Sequence, residues 1–260
     1  MEKSNIDEKI KLLTGNGMWH TQEVEGLPSV HLSDGPHGLR KQEEKERQNN
    51  VSLVSTCYPT ASALACSWDV TAAERLGRAV AKEAWNADVA VLLGPGINMK
   101  RSPLCGRNFE YFSEDPFLAG RLGAAYVSAA QGEDVAVSLK HFAANNQETN
   151  RQTSNSQIDE RALREIYLSA FEYVVKTARP ATIMASYNRL NGYYACENRH
   201  LLTEILREEW GFDGVVISDW GACADLAKAV KAGMDLEMPD SHGIHARKLK
   251  AALKAGEISE

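Results

Sequence analysis

Residues 214–220 read Gly-Val-Val-Ile-Ser-Asp-Trp. A short, β-branched apolar run ends abruptly on a carboxylate and an indole. Such a run suits a strand buried on both faces, as in a parallel sheet. Runs of the same character lie at 29–33, 61–65, 89–93, 135–139, 182–186 and 236–238. Helical stretches separate most of them. Residues 71–87 open on Thr71 and Glu74, a capping-box spacing. Residues 117–131 stop at Gly132. Residues 159–176 start with acids, carry an apolar face through Leu163, Ile166, Tyr167, Ala170 and Val174, and end on Lys176. Further helices are expected over 198–210, 222–232 and 243–255. Strand–helix alternation predicts a mostly parallel sheet. Seven strand candidates fall one short of an eight-stranded barrel, and no helix is evident between the first two. Residues 41–50, KQEEKERQNN, read as a solvated loop or a short exposed helix.

The chain has 260 residues, 43% of them hydrophobic and 25% charged. That suits one large α/β barrel, and a single domain over 1–260 is expected. The composition excludes wholesale disorder, collagen and a disulfide-stapled miniprotein. The formal charge of −6 favours neither nucleic acid nor an anionic membrane. No window approaches the roughly 18 apolar residues of a membrane span. The 5 cysteines are odd in number, scattered, and form no C-x-x-C. Reduced thiols in a cytosol follow, and the N-terminus does not read as a secretory signal. The histidines form no H-x-x-x-H or H-E-x-x-H pattern, so no metal is expected. GPGINMKR lacks the full dinucleotide fingerprint, there is no P-loop, and no cofactor is expected. The last residues read as the start of another helix with Ser259 as its cap, so a truncated chain or a split gene is expected.

Ionisable residues gather where the strand candidates end. Asp34 follows the first, Lys140-His141 the fourth, Tyr187 the run at 182–186, and Asp219-Trp220 the run at 215–218. In a parallel barrel these ends share one rim, where active sites lie. Asp219 can attack an electron-poor carbon or stabilise a developing cation. Trp220 offers a flat apolar face to a sugar. The plain alternative is an aspartate that caps the next helix beside a core tryptophan. Lys140 can donate to sugar hydroxyls or hold Asp219 ionised. His141, one residue on, alternates to the other side of a strand, so it need not share that task. Arg107 and Arg151 are candidate hydroxyl clamps, each with five fixed donors. Asp34 can accept two hydroxyls or simply form a turn. Arg101, Glu110, Glu148 and Glu237 also lie near the rim and carry no assigned role.

LSDGPHGLR, GPGINMKRSPLCGRNFEYFSEDP, SLKHFAANNQETNR, IMASYNRLNG and GFDGVVISDW together resemble the N-terminal barrel domain of glycoside hydrolase family 3, nearest its β-glucosidase members. The resemblance implies a TIM-type (β/α)8 barrel, irregular or incomplete in its first strands. It implies that Asp219 is the catalytic nucleophile. Asp34, Arg107, Lys140, His141, Arg151 and Tyr187 would line the terminal-sugar subsite, with Trp220 flanking the leaving-group side. The expected reaction is retaining hydrolysis of a terminal β-D-glucosyl residue from a β-glucoside or oligosaccharide. In that family the acid/base usually comes from a following α/β sandwich domain, which is expected to lie outside this chain and to be needed in cis or in trans. The alternatives are a sugar-binding barrel fragment without turnover and a β-xylosidase specificity. The β-N-acetylglucosaminidase branch carries an Asp–His pair after the Lys-His strand; FAANNQETNRQTSNSQ has neither residue.

Overall fold

A computed structural model of the chain describes residues 5–42 and 51–259. Helix α1 (Ile6–Leu12) precedes the short strands β1 (Gly15–Asn16) and β2 (His20–Thr21), then β3 (Leu32–Asp34). Helices α2 (Ala61–Ala65) and α3 (Val70–Asn86) lead to β4 (Val91–Leu93), α4 (Pro116–Gln131) and β5 (Ala136–Phe142). After β6 (Asn155–Ser156), α5 (Glu160–Ala162) passes through a π turn (Leu163–Tyr167) into α6 (Ser169–Ala178). Strands β7 (Thr182–Ala185), β8 (Arg189–Leu190) and β9 (Tyr193–Tyr194) precede a π-type helix (His200–Glu209). Strand β10 (Val215–Ser218) and helices α7 (Leu226–Ala232) and α8 (Ile244–Lys254) complete the order. Among the described residues no helix is long and apolar enough to cross a membrane.

Strands β3, β4, β5, β7 and β10 form one sheet with every neighbour parallel. The sheet closes through shorter pairings. Leu236 pairs in parallel with Ile217, and Glu237 with Thr14 beside β1. Strands β1 and β2 are antiparallel, and His20 pairs antiparallel with His31 at the edge of β3. The fold is a (β/α)8-type barrel whose opening strands form a hairpin, which is the irregularity expected there.

Strand parity decides what faces the barrel interior. Leu32, Val91, Leu93, Met184, Ile217, Leu236 and Met238 pack together as an inner cluster. Their neighbours Leu92, Val137, Leu139, Ile183, Ala185 and Val216 join the layer beneath the helices. A period of two therefore carries Asp34, two residues after Leu32, and Asp219, two after Ile217, to the inner side of the rim. Ser138 and Lys140, which alternate with the outward Val137 and Leu139, point the same way. Glu237 lies between inward Leu236 and Met238, so the same rule turns it outward.

The segment at 61–65 is a helix and not a strand. Ala-Ser-Ala-Leu-Ala lacks β-branched residues, and Thr60 Oγ1 accepts the Ala63 N–H at 3.2 Å as its N-cap. This supplies the helical connection that was missing between the first strand candidates, and the next strand is β4. Helix α3 is capped by Asp69, whose Oδ1 accepts the Thr71 N–H at 2.8 Å, and not by the Thr71–Glu74 box. The helix expected over 159–176 is broken by its π turn, which advances the buried face. Leu163, Ala170 and Val174 are buried as expected, whereas Ile166 is 41% exposed and Leu168 and Phe171 take the core positions. Helix α7 begins at Leu226, four residues later than expected, on the Asp225 cap. All but the first two residues of 41–50 lie outside the described residues.

Candidate active site

The ends of β3, β5, β7 and β10 surround a cavity of about 530 Å³. Seven of the eight residues expected at the site line it: Asp34, Arg107, Lys140, Arg151, Tyr187, Asp219 and Trp220. The eighth, His141, is fully buried directly behind them, with its Nε2 3.8 Å from Asp219 Oδ2.

Asp219 has two differently treated oxygens. Oδ1 accepts the Trp220 N–H at 2.8 Å. Oδ2 is buried without a hydrogen-bond partner among the described residues, and Arg107 Nη1 lies 3.8 Å from it. Burial pushes the Asp219 carboxyl above its ordinary value, while Arg107, Lys140 and the Trp220 N–H pull it back without cancelling the rise. Lys140 therefore opposes protonation of Asp219 but does not depress its pKa below the usual range. A nucleophile must be ionised, so the acid limb of kcat/KM on an aryl glucoside is expected above the ordinary aspartate value of 3.8. Lys140→Ala, which removes one of the opposing cations, should move that limb further upward. A limb at or below 3.8 in the unsubstituted protein would contradict this environment for Asp219.

Glu110 was not among the expected site residues, and the structure places it at the centre of the charge network. It ends a 3₁₀ turn (Asn108–Glu110) in the long loop after β4. Its Oε1 accepts from Arg107 Nε, and its Oε2 lies 3.6 Å from Lys140 Nζ. Burial raises its pKa, but Lys140 and Arg107 outweigh that and hold it below the usual glutamate range. Lys140 Nζ also lies 3.4 Å from Asp34 Oδ1. The i,i+3 spacing of Arg107 and Glu110 was the available sequence signal. Arg40 and Met184 also line the cavity without having been expected there. Arg40 arrives because Asp34-Gly-Pro-His-Gly-Leu-Arg folds back on itself: the Arg40 N–H donates to Asp34 O at 2.8 Å. Gly35 allows this turn with φ +117°, where a Cβ would meet Gly38 O at 2.1 Å.

His141 joins the same network as Lys140, contrary to simple alternation. The register shifts between Leu139 and Phe142, so parity is lost at the end of β5. Arg107 Nη2 lies 2.6 Å from His141 Nε2. Because arginine only donates, Nε2 is the acceptor, and Nδ1–H faces the Tyr111 hydroxyl at 2.9 Å. Burial, then Arg107 and Lys140, drive the His141 pKa far below its ordinary value, so the ring is neutral.

The Arg151 guanidinium carbon lies over the Tyr187 ring, 4.2 Å from its centroid, and its Nη1 donates to Glu148 Oε2 at 2.7 Å. The Tyr187 hydroxyl donates to Trp220 O at 2.9 Å, which ties β7 to the turn that carries Asp219. Trp220 Nε1 donates to Met18 O at 2.8 Å, and its ring packs 5.3 Å from that of Trp19. Glu237 is absent from the cavity lining, as its parity requires.

A hydrogen-bond-free carboxylate oxygen at a barrel rim, among fixed cationic donors and indoles, is the chemistry of a glycosidase domain. Known proteins narrow this further. The glycosyl hydrolase family 3 N-terminal domain matches residues 36–260. The chain belongs to glycoside hydrolase family 3, as the sequence motifs implied. It is 52% identical over 264 residues to the thermostable beta-glucosidase B of Acetivibrio thermocellus, covering 100% of this chain and 35% of that protein. It is 51% identical to an exo-alpha-(1->6)-L-arabinopyranosidase of Bifidobacterium longum, covering 91% of this chain and 32% of that one. The solved structure of beta-glucosidase 3B from Thermotoga neapolitana in complex with glucose superposes with a TM-score of 0.92 at 40% identity, over 99% of this chain and 39% of that one. The chain thus spans about a third of the length of the curated relatives it matches.

Proposed function

We propose that the chain carries the nucleophile and the terminal-sugar subsite of a retaining β-glucosidase. The observation that carries this reading is the partnerless Asp219 Oδ2 at the cavity, flanked by Arg107 and His141. In the proposed mechanism Asp219 attacks the anomeric carbon and the aglycone leaves with a proton. Water then releases the sugar with net retention. Asp34, Lys140, Arg107 and Arg151 would grip the sugar hydroxyls through charge-assisted hydrogen bonds. His141 would stay neutral and fix Arg107 by accepting from it. Trp220 would face the leaving group. The acid/base would come from a sandwich domain in cis or in trans.

An activated aryl glucoside tests this directly, because such a leaving group needs little protonation. A burst of phenol stoichiometric with the protein, then slow turnover, is the expected result. Binding without any burst would favour a sugar-binding fragment. A second specificity has a specific warrant, since relatives at about half identity act on an arabinopyranoside. Aryl glucoside, xyloside and arabinopyranoside run in parallel separate these, and the glucoside should give the largest burst.

The subsite makes its own prediction. Lys140→Ala and Arg151→Ala should each weaken glucose binding by about 1.5–3 kcal/mol, the scale of hydrogen bonds to charged groups. Arg151→Ala also removes the stack on Tyr187. Calorimetric titration with glucose checks both, and unchanged affinity in both variants would place the subsite elsewhere.

A further inference from the structure

Behind the barrel wall three donor groups from three elements meet. Glu237, turned outward by its parity, contacts His245 Nδ1 and lies 3.4 Å from Ser241 Oγ. His245 sits in the first turn of α8, and Cys223 in the turn between β10 and α7. One ligand atom each from Cys223, Glu237 and His245 lie within 4.8 Å of one another. Cys223 is a free, buried thiol, and among the described residues it has no recorded hydrogen-bond partner. None of the three lines the catalytic cavity.

We propose that Cys223, Glu237 and His245 form a binding site for a zinc-class divalent cation, completed by one water. A soft thiolate, an imidazole and a carboxylate are the donor types such an ion selects. With bonds of about 2.0–2.3 Å in a tetrahedron, donor atoms stand roughly 3.3–3.7 Å apart. From separations within 4.8 Å the donors close to that spacing by at most about 1–1.5 Å, while the short Glu237–His245 contact opens by about an ångström. Charge favours the ion. A thiolate, a carboxylate and a neutral imidazole carry −2, so the dication leaves the buried site neutral. Burial, with Cys196 and Glu237 adding to it, pushes the free Cys223 thiol up, so it is protonated before binding. Binding exchanges that proton for the sulfur–metal bond, and affinity rises with pH. The route in is past His245, whose side chain is 17% exposed against 4% for Glu237. The bound ion would tie α8, strand segment 236–238 and the turn after Asp219 together.

The test is independent of the reading of the cavity. The chelator-treated 260-residue chain, with the exposed Cys57 and Cys66 both changed to Ser, is titrated with Co(II). One equivalent should give a thiolate-to-cobalt absorption band that Zn(II) abolishes by displacement. Cys223→Ser and His245→Gln should each remove the band and weaken binding by more than about tenfold, since even outer-shell changes cost about 10–100-fold. Zn(II) X-ray absorption on the unsubstituted chain guards against misfolded variants. One sulfur at about 2.3 Å with nitrogen and oxygen at about 2.0–2.2 Å is expected. Absence of the band at saturating Co(II), its survival in Cys223→Ser, or a zinc shell of nitrogen and oxygen alone would overturn the proposal.

Discussion

Asp219→Asn should keep the fold and lose covalent labelling by a mechanism-based fluorinated glucoside. The amide is nearly isosteric with the carboxylate, and its Oδ1 can still accept the Trp220 N–H. What disappears is the charge at Oδ2, the atom proposed to form the glycosyl bond. An amide is a poor nucleophile, so glycosylation should fall steeply, by up to about 10⁶-fold, the scale on which loss of the nucleophile acts in an enzyme that passes through a covalent intermediate. Stability should not fall, because burial already makes the ionised carboxylate costly. Unfolding curves and peptide mass mapping separate the two effects. Loss of labelling with an unchanged midpoint is the expected pair. A labelled peptide that excludes residue 219 would reject the nucleophile assignment.

The rim was legible because it obeys strand parity. Asp34 and Asp219 sit two residues beyond inward apolar side chains, and a reader of 214–220 can count that far. The parallel order of the central strands was legible for the same reason, since apolar runs alternate with amphipathic helices. Three things escaped. The Ala61–Ala65 helix was hidden because a five-residue apolar run has no readable period, and its composition of alanines should have decided the matter. The barrel closure was hidden because β1 and β2 are two residues each, and their pairing is set by the strands they meet. Glu110 was placed near the rim but given no role, because it stands on a loop, where no periodicity aims a side chain. Its ion pairs with Arg107 and Lys140 show what it does there. Glu237 shows the converse: it follows a strand-like run near the rim, and parity alone removes it from the cavity.

The 260-residue chain alone should hydrolyse cellobiose about 10²–10⁴-fold more slowly than the same chain joined to, or mixed with, a family sandwich domain, the range a positioned general acid supplies. The carboxylates that face the cavity decide this. A retaining glycosidase needs a second carboxyl about 5–5.5 Å from the nucleophile, protonated when the bond breaks. Glu110 fails on charge: Lys140 and Arg107 hold its pKa below the usual range, the wrong direction for an acid. Asp34 is engaged by Lys140 at 3.4 Å. Glu148, beside the cavity, is engaged by Arg151 at 2.7 Å. Glu237 faces the helix layer. The loop that carries Arg107 also presents Leu104, 91% exposed, and the half-exposed Phe109, an apolar rim of the kind a docking domain would cover. A sugar leaving group expelled without a proton is slow to depart. Release of the glycosyl-enzyme needs the same residue as base, so the intermediate should persist in the isolated chain. Mass spectrometry of the protein during turnover of an aryl glucoside should find it accumulated, and addition of the sandwich domain should discharge it without any change at Asp219. Cleavage of cellobiose by the pure chain at an ordinary rate of about 1–10³ s⁻¹ would place the acid/base within these residues. Glu110→Gln and Glu148→Gln would then be the variants to find it.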